Sequence, residues 1–193
     1  MKANVIFHSV CGNTYIMAKM IHEKLNGHGI DSSLFRVQDE NIDKIAGMFE
    51  VAREHLDEIK AVPVASAKDA LDCDYIFMGC PTYFGNVSGQ MKLYMDSLCD
   101  FWVDAKLYGT KLISFTTCGT PEGGGDFCLG AINTFAHHMG MIPMPVPSNL
   151  IPGKSLPAYG LMHYTGDMSD LRPCEDAEKA ISAIVEMVAG GRI

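Results

Sequence analysis

Short apolar runs alternate along the chain with longer stretches of helical period. Five runs carry the β-branched and aromatic content of strands and are bounded by Gly, Pro or Asp: ANVIFH from Ala3, SSLFRV from Ser32, DYIFMGCP from Asp74, KLISFTTCG from Lys111 and MIPMPV from Met141. Runs that stay apolar at consecutive positions predict parallel strands covered on both faces. Between them, Val87, Met91, Tyr94, Met95 and Leu98 fall on one helix face, as do Ala177, Ala180, Ile181, Ile184 and Val188 near the C-terminus. Ile42, Ile45, Ala46, Phe49, Ala52, Leu56 and Ile59 predict one further long helix. Strand and helix in repeated alternation define an α/β, doubly wound, five-stranded parallel sheet with helices on both faces; Rossmann-like and flavodoxin-like strand orders both fit at this point. One stretch, Pro147 to Pro173, is rich in Pro and Gly and breaks the alternation. Long irregular segments of this kind are uncommon unless functional.

Length and charge narrow the classes. A chain of 193 residues makes one domain, 1–193, with an irregular insertion at about 147–173. The net charge of −8 opposes nucleic-acid binding and docking on an anionic membrane, both of which call for a basic face. No apolar run reaches the length of a membrane span, and the N-terminal MKANVIFHSV reads as a first strand rather than a signal peptide. Seven scattered cysteines without a CxxC pair exclude zinc and iron–sulfur spacings and fit reduced thiols in a cytoplasmic protein.

The candidate chemistry sits where strands end. Ser9, Val10, Cys11, Gly12, Asn13 and Thr14 follow the first strand and lead into a helix. The hydroxyls and the amides of a helix start can surround a phosphate, and Gly12 permits close approach. GxxxxGK[ST] and GxGxxG are both missing and no Lys or Arg lies in the loop, which opposes a nucleoside triphosphatase or a dinucleotide fold at this turn. An ordinary capped turn uses the same residue types. After the third strand come Pro81, Thr82, Tyr83, Phe84, Gly85 and Asn86, with adjacent aromatics able to wall a planar ring. After the fourth, Thr117, Cys118, Gly119, Thr120, Pro121 and Glu122 open a Gly-rich loop whose amides can meet a heterocycle's carbonyls. Phosphate donors, aromatic walls and backbone polar groups at three neighbouring strand ends are what FMN requires.

These motifs resemble a known family. SVCGNT is similar to the phosphate loop of flavodoxins, and PTYFGNVSGQMKLYMDSL, Trp102 followed by LYG, CGTPEGGG, AHH at Ala136–His138 and AYGLMHYTGD resemble the WrbA-type NAD(P)H:quinone oxidoreductases over nearly the whole chain. The resemblance implies a flavodoxin-like sheet in the order 2-1-3-4-5, FMN as cofactor, NAD(P)H and a quinone as substrates, and a homo-oligomer, dimer or tetramer. It places the phosphate on Ser9 to Thr14, the isoalloxazine beside Thr82 to Phe84 and its backbone contacts at Thr117 to Glu122. It also implies that His137 reaches the flavin of a neighbouring subunit and that Trp102 lines the substrate pocket with Cys11. Family members carry an aromatic at Cys11, an arginine at Tyr83 and glycine near Pro121 and Glu122. A flavodoxin-type electron carrier and a binding protein without flavin are the rival readings.

Simpler roles fit several of these residues taken alone. Trp102 at a helix end reads as packing, and the adjacent His137 and His138 cannot share a helix face. Cys11, at a helix start, is a candidate for a low thiol pKa, with packing as the alternative. Asp39, Glu40, Asp57 and Glu58 read as a solvated face.

Overall fold

A computed structural model describes residues 1–192. Its strands are β1 (Lys2–Phe7), β2 (Asp31–Arg36), β3 (Tyr75–Pro81), β4 (Lys111–Cys118), β5 (Ile142–Pro143) and β6 (Leu161–Tyr164). The sheet is parallel throughout, as the sequence predicts, and its order β2-β1-β3-β4-β5 is the one the resemblance implies. Central strands β1, β3 and β4 are buried on both faces, which is why their sequences stay apolar at consecutive positions.

Alternation within those strands builds two cores. Val5, Phe7, Phe77 and Phe115 face α1 (Asn13–Gly27) and α7 (Glu175–Ala189). Ile6, Met78 and Leu112 face α4 (Gly89–Asp96) and α6 (Gly125–His138). Gly79 pairs with Phe115 across β3 and β4, and a Cβ there would lie 2.4 Å from the Phe115 ring, so the aromatic layer requires glycine.

Three expectations need correction. The long helix between the second and third strands is instead α2 (Ile42–Ala46), a 3-10 turn (Glu50–Glu54) and α3 (Leu56–Ala61). Met48 and Phe49 close i→i−3 hydrogen bonds after α2, and Phe49 then takes an extended backbone, so the apolar period survives while the helix axis does not. The fifth strand shrinks to two residues paired with Lys111 and Leu112. The rest of its position is filled by β6, which pairs in parallel with Phe115–Cys118 and lies inside the segment expected to be irregular. Residues 144–160 therefore interrupt one sheet position. Beyond β6 the chain returns across the start of α1.

Candidate flavin site

The carboxyl ends of β1, β3 and β4 meet at a cavity of 110 Å³. Its first wall is Ser9, Val10, Cys11, Asn13 and Thr14; its second is Pro81, Thr82 and Tyr83; Thr117 and Gly119 complete it from β4. Gly12 caps α1 in the left-handed region at φ 95°, and no side chain caps that end. The first-turn amides of α1 are thus left facing an outside acceptor, the arrangement that binds phosphate. Ser9 and Thr14 are buried beside them, and the Thr14 hydroxyl lies 2.8 Å from that of Thr117, locking the first loop to the end of β4.

The late segment supplies what the local sequence lacks. Thr165 and Ser169 line the same cavity, and the Ser169 carbonyl accepts from Asn13 Nδ2 at 2.7 Å. Arg172 donates from Nη1 to the Cys11 carbonyl at 2.6 Å and from Nη2 to the Val51 carbonyl at 3.0 Å, and pairs with Glu54. A cation therefore stands against the loop after β1, which has none in its own sequence. Nothing local to SVCGNT signals it; only the Pro- and Gly-rich character of the late segment marked that region. Ile45 and Phe49 complete the wall from the α2 side.

The loop after β3 is built differently. Tyr83 and Asn86 exchange two backbone hydrogen bonds of 2.9 and 3.0 Å around Phe84 and Gly85, both at positive φ, which makes a two-residue turn of the I′ kind. Phe84 holds φ 52° and is fully exposed; it lies outside the cavity with the half-buried Gly85 and the exposed Asn86. Burial pushes the Tyr83 phenol up to about 12, so it stays neutral and donates or stacks. Cys118 is buried, while Thr120, Pro121 and Glu122 form a turn at the rim, closed by the Gly123 amide on the Thr120 carbonyl.

Two further predicted residues lie away from this site within one chain. His137 ends α6, which runs back toward the amino ends of the strands, and it is exposed there. Trp102 lies on α5 (Cys99–Val103), 61% exposed rather than packed in a core. The low-pKa reading of Cys11 also fails: burial raises its thiol, only partly offset by Ser169 and Arg172.

Asp39 is corrected too. It is buried rather than solvated, with Oδ2 3.1 Å from His8 Nε2. Its Oδ1 accepts from the Asn41 amide at 2.9 Å and from Gln90 at 3.2 Å. The His8 hydrogen bond holds its carboxyl below the usual range against the opposing effect of burial. His8 Nδ1 is buried and has no partner among the described residues. An isolated His next to a strand end carries no sequence signal for such a pair.

FMN fits the residues present. The enclosed 110 Å³ is well below the roughly 300–1,000 Å³ of a pocket that takes in a whole ligand. A space of that size would suit a phosphate group, with Ser9, Thr14 and the α1 amides as the donors that could hold it. Fold and site together define a flavodoxin-like flavoprotein.

The sequence model of the NADPH-dependent FMN reductase family matches residues 1–154, and the chain belongs to that family. It is 31% identical over 191 residues to an NAD(P)H dehydrogenase (quinone) of Archaeoglobus fulgidus, covering 96% of this chain and 94% of that protein. A protein of the same description from Geobacter sulfurreducens is 30% identical over 149 residues, covering 76% of this chain and 72% of its own length. Among solved structures, the WrbA-like flavodoxin of Agrobacterium tumefaciens aligns with a TM-score of 0.68 at 20% identity, covering 100% of this chain and 99% of that one. No helix among the described residues is long and apolar enough to cross a membrane.

Proposed function

We propose that this protein is an FMN-dependent oxidoreductase that takes two electrons from NAD(P)H and delivers them to a quinone. The observation that carries this reading is the uncapped start of α1, ringed by hydroxyls from three neighbouring strand ends. The names of the A. fulgidus and G. sulfurreducens relatives support the two substrates. When bound, FMN supplies the redox chemistry, accepting hydride from the nicotinamide and passing two electrons to the quinone.

The chain's own residues bind and orient. Ser9, Thr14 and the α1 amides hold the phosphate, with Arg172 fixing the loop that presents them. Pro81 to Asn86 flank the ring, Tyr83 and Phe84 offering their faces, and backbone groups of Thr117 to Glu122 meet its polar edge. Trp102 and Cys11 line the place where nicotinamide and quinone alternate. His137 serves the site of a neighbouring subunit, because its own helix carries it to the opposite end of the sheet.

A homo-oligomer, dimer or tetramer, follows from that role, and the exposed Phe84, Trp102, Val103 and Phe127 support it. All seven cysteines are unpaired, which supports a cytoplasmic location. The chain works as one domain, 1–193, the insertion at about 147–173 serving to brace the phosphate loop.

Anaerobic mixing of the FMN-loaded protein with NADH, and separately NADPH, tests this. The expected result is bleaching of the flavin band, reversed by benzoquinone. Flavin that binds but stays oxidised overturns the reading in favour of an electron carrier; failure to bind FMN leaves a binding protein without flavin.

A further inference from the structure

Directly behind the cavity lie two thiols that the flavin chemistry does not use. Cys80, near the end of β3, and Cys128, in the first turn of α6, are both fully buried, with their sulfurs 3.8 Å apart. They are 48 residues apart in sequence, so no spacing motif announces them. Thr116 Oγ1 sits 2.7 Å from the Cys80 carbonyl and 3.5 Å from Cys128 Sγ. It is also 2.9 Å from the Thr82 hydroxyl, and Thr82 lines the cavity. One layer of hydroxyls separates the sulfur pair from the site.

The two thiols are not equivalent. Cys128 receives the hydrogen bond from Cys80, which holds its pKa below the ordinary thiol value against burial, with Thr116 and Thr82 adding to the effect. Burial drives Cys80 the other way. What singles the pair out is the distance: sulfurs 3.8 Å apart are within a short side-chain movement of the roughly 2.05 Å of a disulfide.

We propose that Cys80 and Cys128 form a modification site, a dithiol that a hydroperoxide converts to an intramolecular disulfide. The Cys128 thiolate attacks one peroxide oxygen, the O–O bond breaks, and the leaving hydroxide takes a proton to become water. The resulting sulfenic acid is attacked by Cys80; the S–S bond forms as the S–O bond breaks, and the second hydroxide leaves with the Cys80 proton. In sum, two thiols and one peroxide give a disulfide and two waters.

Bond formation brings the sulfurs from 3.8 Å to about 2.05 Å. That movement pulls the first turn of α6 toward β3. Because residues 119–124 join that turn directly to β4, the loop at the flavin rim moves with it. The close approach of Gly124 to Gly85, where a Cβ would lie 2.8 Å from the Gly85 Cα, passes the movement to the β3 turn. Oxidation therefore weakens FMN binding, a consequence that rests on the function proposed above; the disulfide itself does not.

The test uses the full chain with the exposed Cys99 and Cys174 replaced by serine, which leaves five thiols. Apo and FMN-loaded samples are treated with hydrogen peroxide, quenched in acid, alkylated and mapped by mass spectrometry. The expected result is loss of two alkylatable thiols and one peptide cross-linked through Cys80 and Cys128, abolished by Cys128→Ala and reversed by dithiothreitol. Retention of all five thiols, or a cross-link through any other cysteine, overturns the proposal. FMN titration of the oxidised protein is read separately. At least a tenfold rise in Kd is expected, absent in Cys80→Ala; an unchanged Kd with the cross-link present removes only the consequence. Failure of the untreated protein to bind FMN counts against the flavin reading alone.

Discussion

The two loops that flank the cavity are held in opposite ways. The phosphate loop is tied by Thr14 to Thr117, by Asn13 to Ser169 and by Arg172 to the Cys11 carbonyl, with Ser9, Asn13 and Thr14 all buried. The β3 loop ends in a two-residue turn whose aromatic is fully exposed at positive φ, with no side-chain partner among the described residues to justify the strain. One half of the site is preorganised at the expense of a long excursion of chain. The other is shaped so that a ligand or a second subunit must complete it. Preorganisation falls on the half proposed to gather the phosphate charge, where a misplaced amide would lose the most.

The sharpest way to break this contrast is at Gly12. A Cβ there would lie 2.9 Å from the His55 ring and 3.2 Å from Arg172, on a backbone at φ 95°. Such strain costs about 1–3 kcal/mol, so Gly12→Val is expected to weaken FMN binding by roughly 10- to 100-fold at 1.4 kcal/mol per decade, read by quenching of FMN fluorescence.

Arg172→Ala comes next. It removes charge-assisted hydrogen bonds to the Cys11 and Val51 carbonyls, each contributing about 1.5–3 kcal/mol at most in a partly exposed setting. A loss of roughly tenfold in FMN affinity is expected, together with faster hydrogen exchange in residues 9–14. Arg172→Lys should not rescue it, because a single ammonium cannot span both carbonyls. Equal exchange in wild type and variant would sever the late segment from the phosphate loop.

Phe84→Asn probes the other loop. Asparagine tolerates the left-handed region and suits a turn of the I′ kind. With no buried contact to lose, the apo protein should gain about 1 kcal/mol in urea unfolding, while FMN binding weakens if the ring provides a flavin face. A stability loss instead would mean that Phe84 is held by contacts in the assembled oligomer.

What could be read from the sequence follows the range of the interactions. β1, β3 and β4 were legible because burial on both faces leaves an unbroken apolar signature, and SVCGNT was legible because a helix start needs its residues consecutively. β6 was not: Leu161–Tyr164 is short, carries a His and a Tyr, and is a strand only because β4 offers it an open edge. Arg172 and Asp39 act on residues far away in the chain, and neither stands in a pattern that names its partner. The broken helix after β2 shows the converse error, where apolar period was preserved across turns that periodicity cannot see.

The smallest effect expected is a pH dependence centred on Asp39, which sharpens the comparison by acting behind the looser loop. Its folded pKa is depressed, chiefly by His8. The unfolded value is about 3.9. The contribution of the charged form is therefore fully present above about pH 4 and is lost as pH falls through the folded pKa. Asp39→Asn keeps an acceptor for His8 but carries no titrating charge. Urea midpoints of the two proteins, compared between about pH 6 and pH 2.5, should converge as the pH drops below the carboxylate range. Other acids titrate in the same window, but they are common to both proteins and cancel in the difference. Amide exchange should then show the β3 turn loosening in acid before the phosphate loop does, because Asp39 meets Gln90 at the start of α4, which follows that turn, while the phosphate loop keeps Arg172. Curves that run parallel across the whole range would detach the buried pair from the acid response and leave the two loops distinguished by strain alone.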